Sequence, residues 1–174
     1  MKKILSLLGT ITLIGTSTTS LVACNTPQEY TTKELKELKE KNKINTVNQE
    51  IRENLEWITP QEKPFNEVDN KYYYVVWKGN NQLNINKFKN DEFPKQIIPN
   101  NNGKDKILIN YGDSIVGKQR QKELYFVYRN SLKIKYWSED NGEYFKLVYR
   151  WNLLDKPSPD LVIDENGDVK VKGE

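Results

Sequence analysis

Cys24 is the only cysteine of the 174 residues, and it closes the run Leu21-Val22-Ala23-Cys24. A thiolate is a strong nucleophile, so a lone cysteine after a short apolar run is a natural acceptor for a transferred group. A second nucleophile is suggested by Gly112-Asp113-Ser114-Ile115, which follows an apolar stretch. Activating that serine requires an imidazole base, and the chain has no histidine. The same stretch carries the spacing of a phosphate-binding loop, from Gly112 to Gly117-Lys118, but Gln119 stands where a Ser or Thr would coordinate magnesium. Without histidine, and with Cys24 engaged elsewhere, zinc, haem and copper sites of the usual kinds lose their ligands. Asp164-Glu165-Asn166-Gly167-Asp168 begins like a calcium loop, yet Val169 occupies the sixth position, where the loop turns on a glycine. The residue inventory therefore predicts no catalytic residue and no metal site.

Residues 1–23 read as a targeting segment. Met1, Lys2 and Lys3 supply a positive start, and residues 4–14 an apolar stretch too short for the roughly 20 residues that span a bilayer. In the run before Cys24, aliphatic Leu21 suits an apolar subsite and small Ala23 lets a peptidase approach. With Val22 these residues form a lipobox. The segment resembles the leaders of bacterial prolipoproteins, in particular those of spiroplasma and related mollicute surface lipoproteins. That resemblance implies a diacylglyceryl group on the Cys24 sulfur, cleavage between Ala23 and Cys24, and a palmitate-type acyl chain as the sole non-protein group. It also implies a location on the outer face of the cell membrane. Burying acyl chains contributes about 0.8 kcal/mol per CH₂, and two chains give stable anchoring. Loss of Lys2 and Lys3 with the leader lowers the formal charge of +3 by two, so neither nucleic acid nor anionic lipid is an expected electrostatic partner.

The aromatic residues are the remaining feature: 10 Tyr, 5 Phe and 4 Trp, including the run Tyr72-Tyr73-Tyr74. Consecutive strand residues point to opposite faces, so this run sends rings to both sides of a sheet. If one side is covered, the other leaves rings in water, where they would stack on sugars or peptide. Tyr72, Tyr74, Trp77, Trp137 and Trp151 are the expected partner-binding residues on this reasoning. The partner would be a host or cell-surface protein or glycan.

Several elements must position these groups. Residues 24–31 form a lipidated tether, with Pro27 opposing helix. Residues 32–58 form a helical segment opened by a capping box from Thr31 to Glu34, with an apolar stripe at Ile44, Val47, Ile51, Leu55 and Ile58. Leu35 and Leu38 are out of phase with that stripe, which suggests a break near residues 42–45, and Thr46 with Gln49 offers a second capping box. The segment is either a stalk or a helix packed on its own domain. Pro60 and Pro64 end it.

Residues 65–174 form a β-rich domain. Alternating apolar runs place strands at 71–77, 83–88, 106–111, 123–129, 132–137, 143–151, 161–163 and 168–172, with Gly, Asn and Asp at the turns. The sixth is expected to show Phe145, Leu147, Tyr149 and Trp151 on one face, with Lys146 and Arg150 on the other. A weak repeat relates Val76-Trp77-Lys78 and Leu83-Asn84-Ile85 to Val127-Tyr128-Arg129 and Leu132-Lys133-Ile134, about 50 residues later. The fold class is mainly β: an antiparallel, hairpin-rich sandwich or barrel after an N-terminal helix, α+β overall. The expected function is a membrane-anchored surface lipoprotein with a non-catalytic binding domain. The alternatives are an extracellular enzyme using carboxylates alone, such as a glycoside hydrolase, and a purely structural envelope protein.

Overall fold

A computed structural model describes residues 29–79, 82–92, 95–97, 106–111, 122–127 and 134–174; for 95–97 and 106–111 only the backbone course is described. Cys24 and its lipobox, the Ser114 loop with its phosphate-loop spacing, and Tyr128, Arg129, Leu132 and Lys133 of the repeat lie outside these residues.

The chain begins with helix α1 (Thr32–Lys41), for which Thr31 and Glu34 make the predicted capping box. The expected break follows. Helix α2 (Gln49–Asn54) is capped by Asn48, not by Thr46, whose hydroxyl instead donates to Glu174 Oε1 at 2.8 Å. The apolar stripe does not continue as helix: strand β1 (Leu55–Trp57) turns it into sheet, and Val47 is 94% exposed. Leu55 and Ile58 fit a helical period, but β1 finds a hydrogen-bonding partner in a neighbouring strand, and tertiary pairing overrides the local pattern.

The other strands are β2 (Tyr72–Gly79), β3 (Gln82–Lys89), β4 (Lys95–Ile97), β5 (Lys106–Tyr111), β6 (Lys122–Val127), β7 (Ile134–Tyr136), β8 (Phe145–Trp151), β9 (Leu161–Ile163) and β10 (Val169–Val171). They form one four-stranded sheet in the order β1-β8-β2-β3, a second in the order β4-β5-β6-β7, and the hairpin β9-β10. All pairings are antiparallel, and among the described residues no sheet closes on itself. The fold is a β-rich α+β architecture with two packed sheets and, among the described residues, no closed barrel.

The central sheet is buried on both faces, which explains why β2 reads as a continuous apolar run. On its inner face Tyr73, Val75, Trp77 and Val148 pack against Leu124 and Phe126 of β6, together with Phe65 and Trp137. Trp77 meets Phe126 with ring centroids 5.5 Å apart, and its indole N–H donates to Asn86 Oδ1 at 2.7 Å. Gly79 is required by this ring, because a Cβ there would run into the Trp77 six-membered ring. On the outer face Tyr74, Val76, Tyr149 and Trp151 are roofed by Ile44 and by Leu161, Val169 and Val171 of the β9-β10 hairpin.

Strand β8 does not keep the predicted alternation. The register against β2 moves from Val76↔Leu147 to Trp77↔Phe145, so Lys146 is an extra residue in a bulge. Phe145 therefore joins Val148 in the inner core while Leu147, Tyr149 and Trp151 face outward. The repeat survives as geometry: Val76 pairs with Ile85 in one sheet, and Val127 pairs with Ile134 in the other.

Candidate functional site

The rings expected to meet a partner are in the core. Trp77 is 0% exposed, Tyr74 and Trp151 1% and Trp137 8%, while Tyr72 is half-buried. The expectation that one face of the sheet would leave its rings in water is corrected: the second sheet covers the inner face, and segments from near both ends of the described chain cover the outer one. Lys87 reaches over Tyr72, with its ammonium 5.4 Å from the ring centroid, and pairs with Asp160 at 3.1 Å.

Trp137, unlike the other four rings, lines an open cleft. This cleft, of about 450 Å³, is lined by residues from 29–30, 57–65, 122–123 and 137–148. Its walls include Tyr30, Trp57, Phe65, Trp137 and Leu147. The Gln61 side-chain amide fixes the rim by bonding the Tyr30 backbone twice: it accepts from the N–H at 2.8 Å and donates to the carbonyl at 3.0 Å. Gln61 lies in a 3-10 turn (Pro60–Glu62) that begins at Thr59, whose N–H donates to Glu62 Oε2 at 2.8 Å. Phe65 and Trp137 form one wall, with their centroids 6.2 Å apart.

The polar lining is partly committed to structure. Both Asp140 oxygens share the single backbone N–H of Tyr144, and Oδ2 also accepts from the Phe145 N–H at 2.8 Å. Glu123 Oε1 accepts the Ser138 N–H. The Lys146 ammonium donates to the Gly142 carbonyl, and burial pushes its pKa down. Asp140 thus closes a turn, and Glu123 ties strand β6 to the segment after Trp137.

Beside the cleft lies a charge network that no sequence pattern announced. Glu56 on β1 accepts from Lys39 of α1 at 2.5 Å, from Arg150 of β8 at 2.6 Å and from Asn152 at 3.1 Å. Lys39 also contacts Glu62 at 2.5 Å. Burial would raise the Glu56 pKa, but hydrogen bonds from Lys39, Asn152 and Arg150 outweigh it and hold the carboxyl at about 2. Burial would likewise lower the pKa of Lys39 and of Arg150, and their carboxylate partners reverse that. The network clamps α1 and the 3-10 turn onto the edge of the central sheet. Its signal is invisible in sequence because its members are brought together only by tertiary packing.

Among the described residues no group of three or more Asp, Glu, His or Cys could hold a metal ion. The calcium-like segment is the β9-β10 turn: Asp164 Oδ1 accepts the N–H groups of Asn166 and Asp168, both at 2.9 Å, and its other oxygen pairs with Lys170 at 2.5 Å. Gly167 adopts φ 87°, which a left-handed turn position requires. No helix among the described residues is long and apolar enough to cross a membrane. Searches against protein-family models, curated proteins and solved structures found no match to this chain.

Proposed function

We propose that the protein is a lipoprotein anchored through Cys24 to the outer face of the cell membrane, and that its β-rich body is a non-catalytic binding domain. The observation that carries the binding half is the ring-lined cleft of about 450 Å³, a size within the range of ligand sites. It sits beside Tyr30, six residues after Cys24. A chain of that length reaches at most about 20 Å, so the cleft would open close to the membrane surface. Commitment of Asp140 and Glu123 to backbone donors supports binding over acid–base chemistry.

Two measurements test this reading. Labelling by a palmitate analogue is expected in the wild-type protein and lost in Cys24→Ser; retained label would remove the anchor. Full-length protein in detergent is expected to retain ligands from a glycan or peptide array. Trp57→Ala, at a half-buried position on the cleft wall that also packs on the outer core, is expected to lose them while the variant still unfolds in one cooperative transition.

A further inference from the structure

The cleft follows the edge of a strand. It is lined by Phe145, Lys146, Leu147 and Val148, four consecutive residues of β8. Neighbouring strand residues point to opposite faces, so a single cavity can touch all four only by running along the backbone edge between the faces. Strand β1 occupies the rest of that edge: it pairs with Tyr149, Arg150 and Trp151, and the Ile58 N–H extends it by one bond to the Val148 carbonyl at 3.0 Å. Beyond Ile58 the edge continues past Lys146 with no strand beside it among the described residues; the Leu147 backbone faces β2, and the Phe145 N–H is held by Asp140 Oδ2 at 2.8 Å. Lys146, the bulge residue, also lacks a register partner on β2.

We infer that the cleft takes an extended peptide, which continues the line of β1 by pairing its backbone with the open edge of β8 at Lys146. This deepens the binding reading and rests on it. Such strand addition draws affinity from main-chain hydrogen bonds and specificity from alternate side chains. The cleft supplies a wall for each side. Trp57 and Leu147 belong to the outer face, while Ile58, Phe65 and Trp137 belong to the inner one.

A lysine at a sheet edge ordinarily guards against pairing, but the Lys146 ammonium is turned back onto the Gly142 carbonyl. Charge also narrows the partner. The lining sets Lys63, Lys122 and Lys146 against Glu29, Glu123 and Asp140, so it favours a segment with little net charge and apolar side chains at alternate positions.

The test uses full-length protein in detergent, first against a phage-displayed library of random octapeptides and a glycan array. A selected peptide is then resynthesised with a single N-methyl group at each position in turn. Strand addition predicts that N-methylation weakens binding about tenfold at every second residue and little at those between, because only alternate N–H groups face the edge. Slowed exchange of the Lys146 amide is expected on binding, with little change at Phe145, whose N–H Asp140 already holds. Peptide binding without that alternation, or binding of a glycan alone, would overturn strand addition while the binding role stands. If neither array yields a ligand for the folded protein, both fall.

Discussion

The two faces of the central sheet are built from the same strands and closed in different ways. The inner face is filled by interlocking rings: Tyr73 and Phe88 stack with centroids 5.8 Å apart, Trp77 meets Phe126, and Phe126 stacks on Tyr144 at 4.3 Å. The outer face is closed by a thin roof of aliphatic residues. Leu161, Val169 and Val171 each remain 9% exposed, above rings that are almost fully buried. Polar ties hold that roof in place, among them Thr46 to Glu174 and the Tyr149 hydroxyl to the Asn42 carbonyl at 3.2 Å. The inner core therefore depends on shape and volume, and the outer one on a few pinned contacts.

The largest effect that would test this contrast is Trp77→Ala. Removing the indole leaves a cavity between two sheets that cannot close over it, and the expected cost is about 3 to 5 kcal/mol in urea unfolding. A cost near that of a surface substitution would mean that the sheets do not pack through this ring.

The ion network at the sheet edge comes next. Glu56→Gln leaves Lys39 and Arg150 without their shared carboxylate, and the expected loss is about 3 kcal/mol at neutral pH. The pH dependence has a definite sign. The folded carboxyl, at about 2, lies below its ordinary value of 4.5, so its contribution is present above pH 4.5 and lost as pH falls toward 2. Stability of the wild type should drop through that window, and the Gln variant should show a shallower acid limb. Equal acid limbs would show that Glu56 does not carry the dependence.

The contrast between the faces also shows what the sequence could reveal. All eight strands read from apolar alternation are present, because Tyr, Val and Trp runs bounded by Gly and Asn leave few other local choices. Strands β1 and β4 are not legible, for opposite reasons: Leu55-Glu56-Trp57 fits a helical period, and Lys95-Gln96-Ile97 carries no pattern at all. The exposure of the rings is not legible locally, because it depends on how many layers the sheet acquires. That number rests on short aliphatic segments whose distant destination no local signal gives. The cleft is hidden for the same reason: Trp57, Phe65, Trp137 and Leu147 line it together from segments far apart in the chain.

The tyrosine run allows the comparison to be made within two adjacent residues. The Tyr73 hydroxyl points into the inner side and donates to Asp69 Oδ2 at 2.6 Å. Burial, then the neighbouring Asp69 carboxylate, pushes its pKa well above the usual phenol range. A hydrogen bond to a charged acceptor contributes about 1.5 to 3 kcal/mol, so Tyr73→Phe should destabilise by that amount, as measured in thermal or urea melts.

Tyr74 gives the smaller expected effect, and the one that most sharply examines the roof. Its ring is 1% exposed and its hydroxyl donates to the Pro159 carbonyl, just before β9. Burial, the largest cause, pushes its pKa up to about 12, so the phenol remains a donor across the range in which the protein would be handled. Tyr74→Phe keeps the ring and removes only the tie, at an expected cost of about 0.5 to 1.5 kcal/mol. If the outer face is closed by pinned contacts, the loss should be local. Amide exchange should quicken in β9 and β10 while the β2–β3 hairpin keeps its protection. Uniform loosening of both faces would show that the roof and the ring core form one cooperative unit and that the tie is incidental.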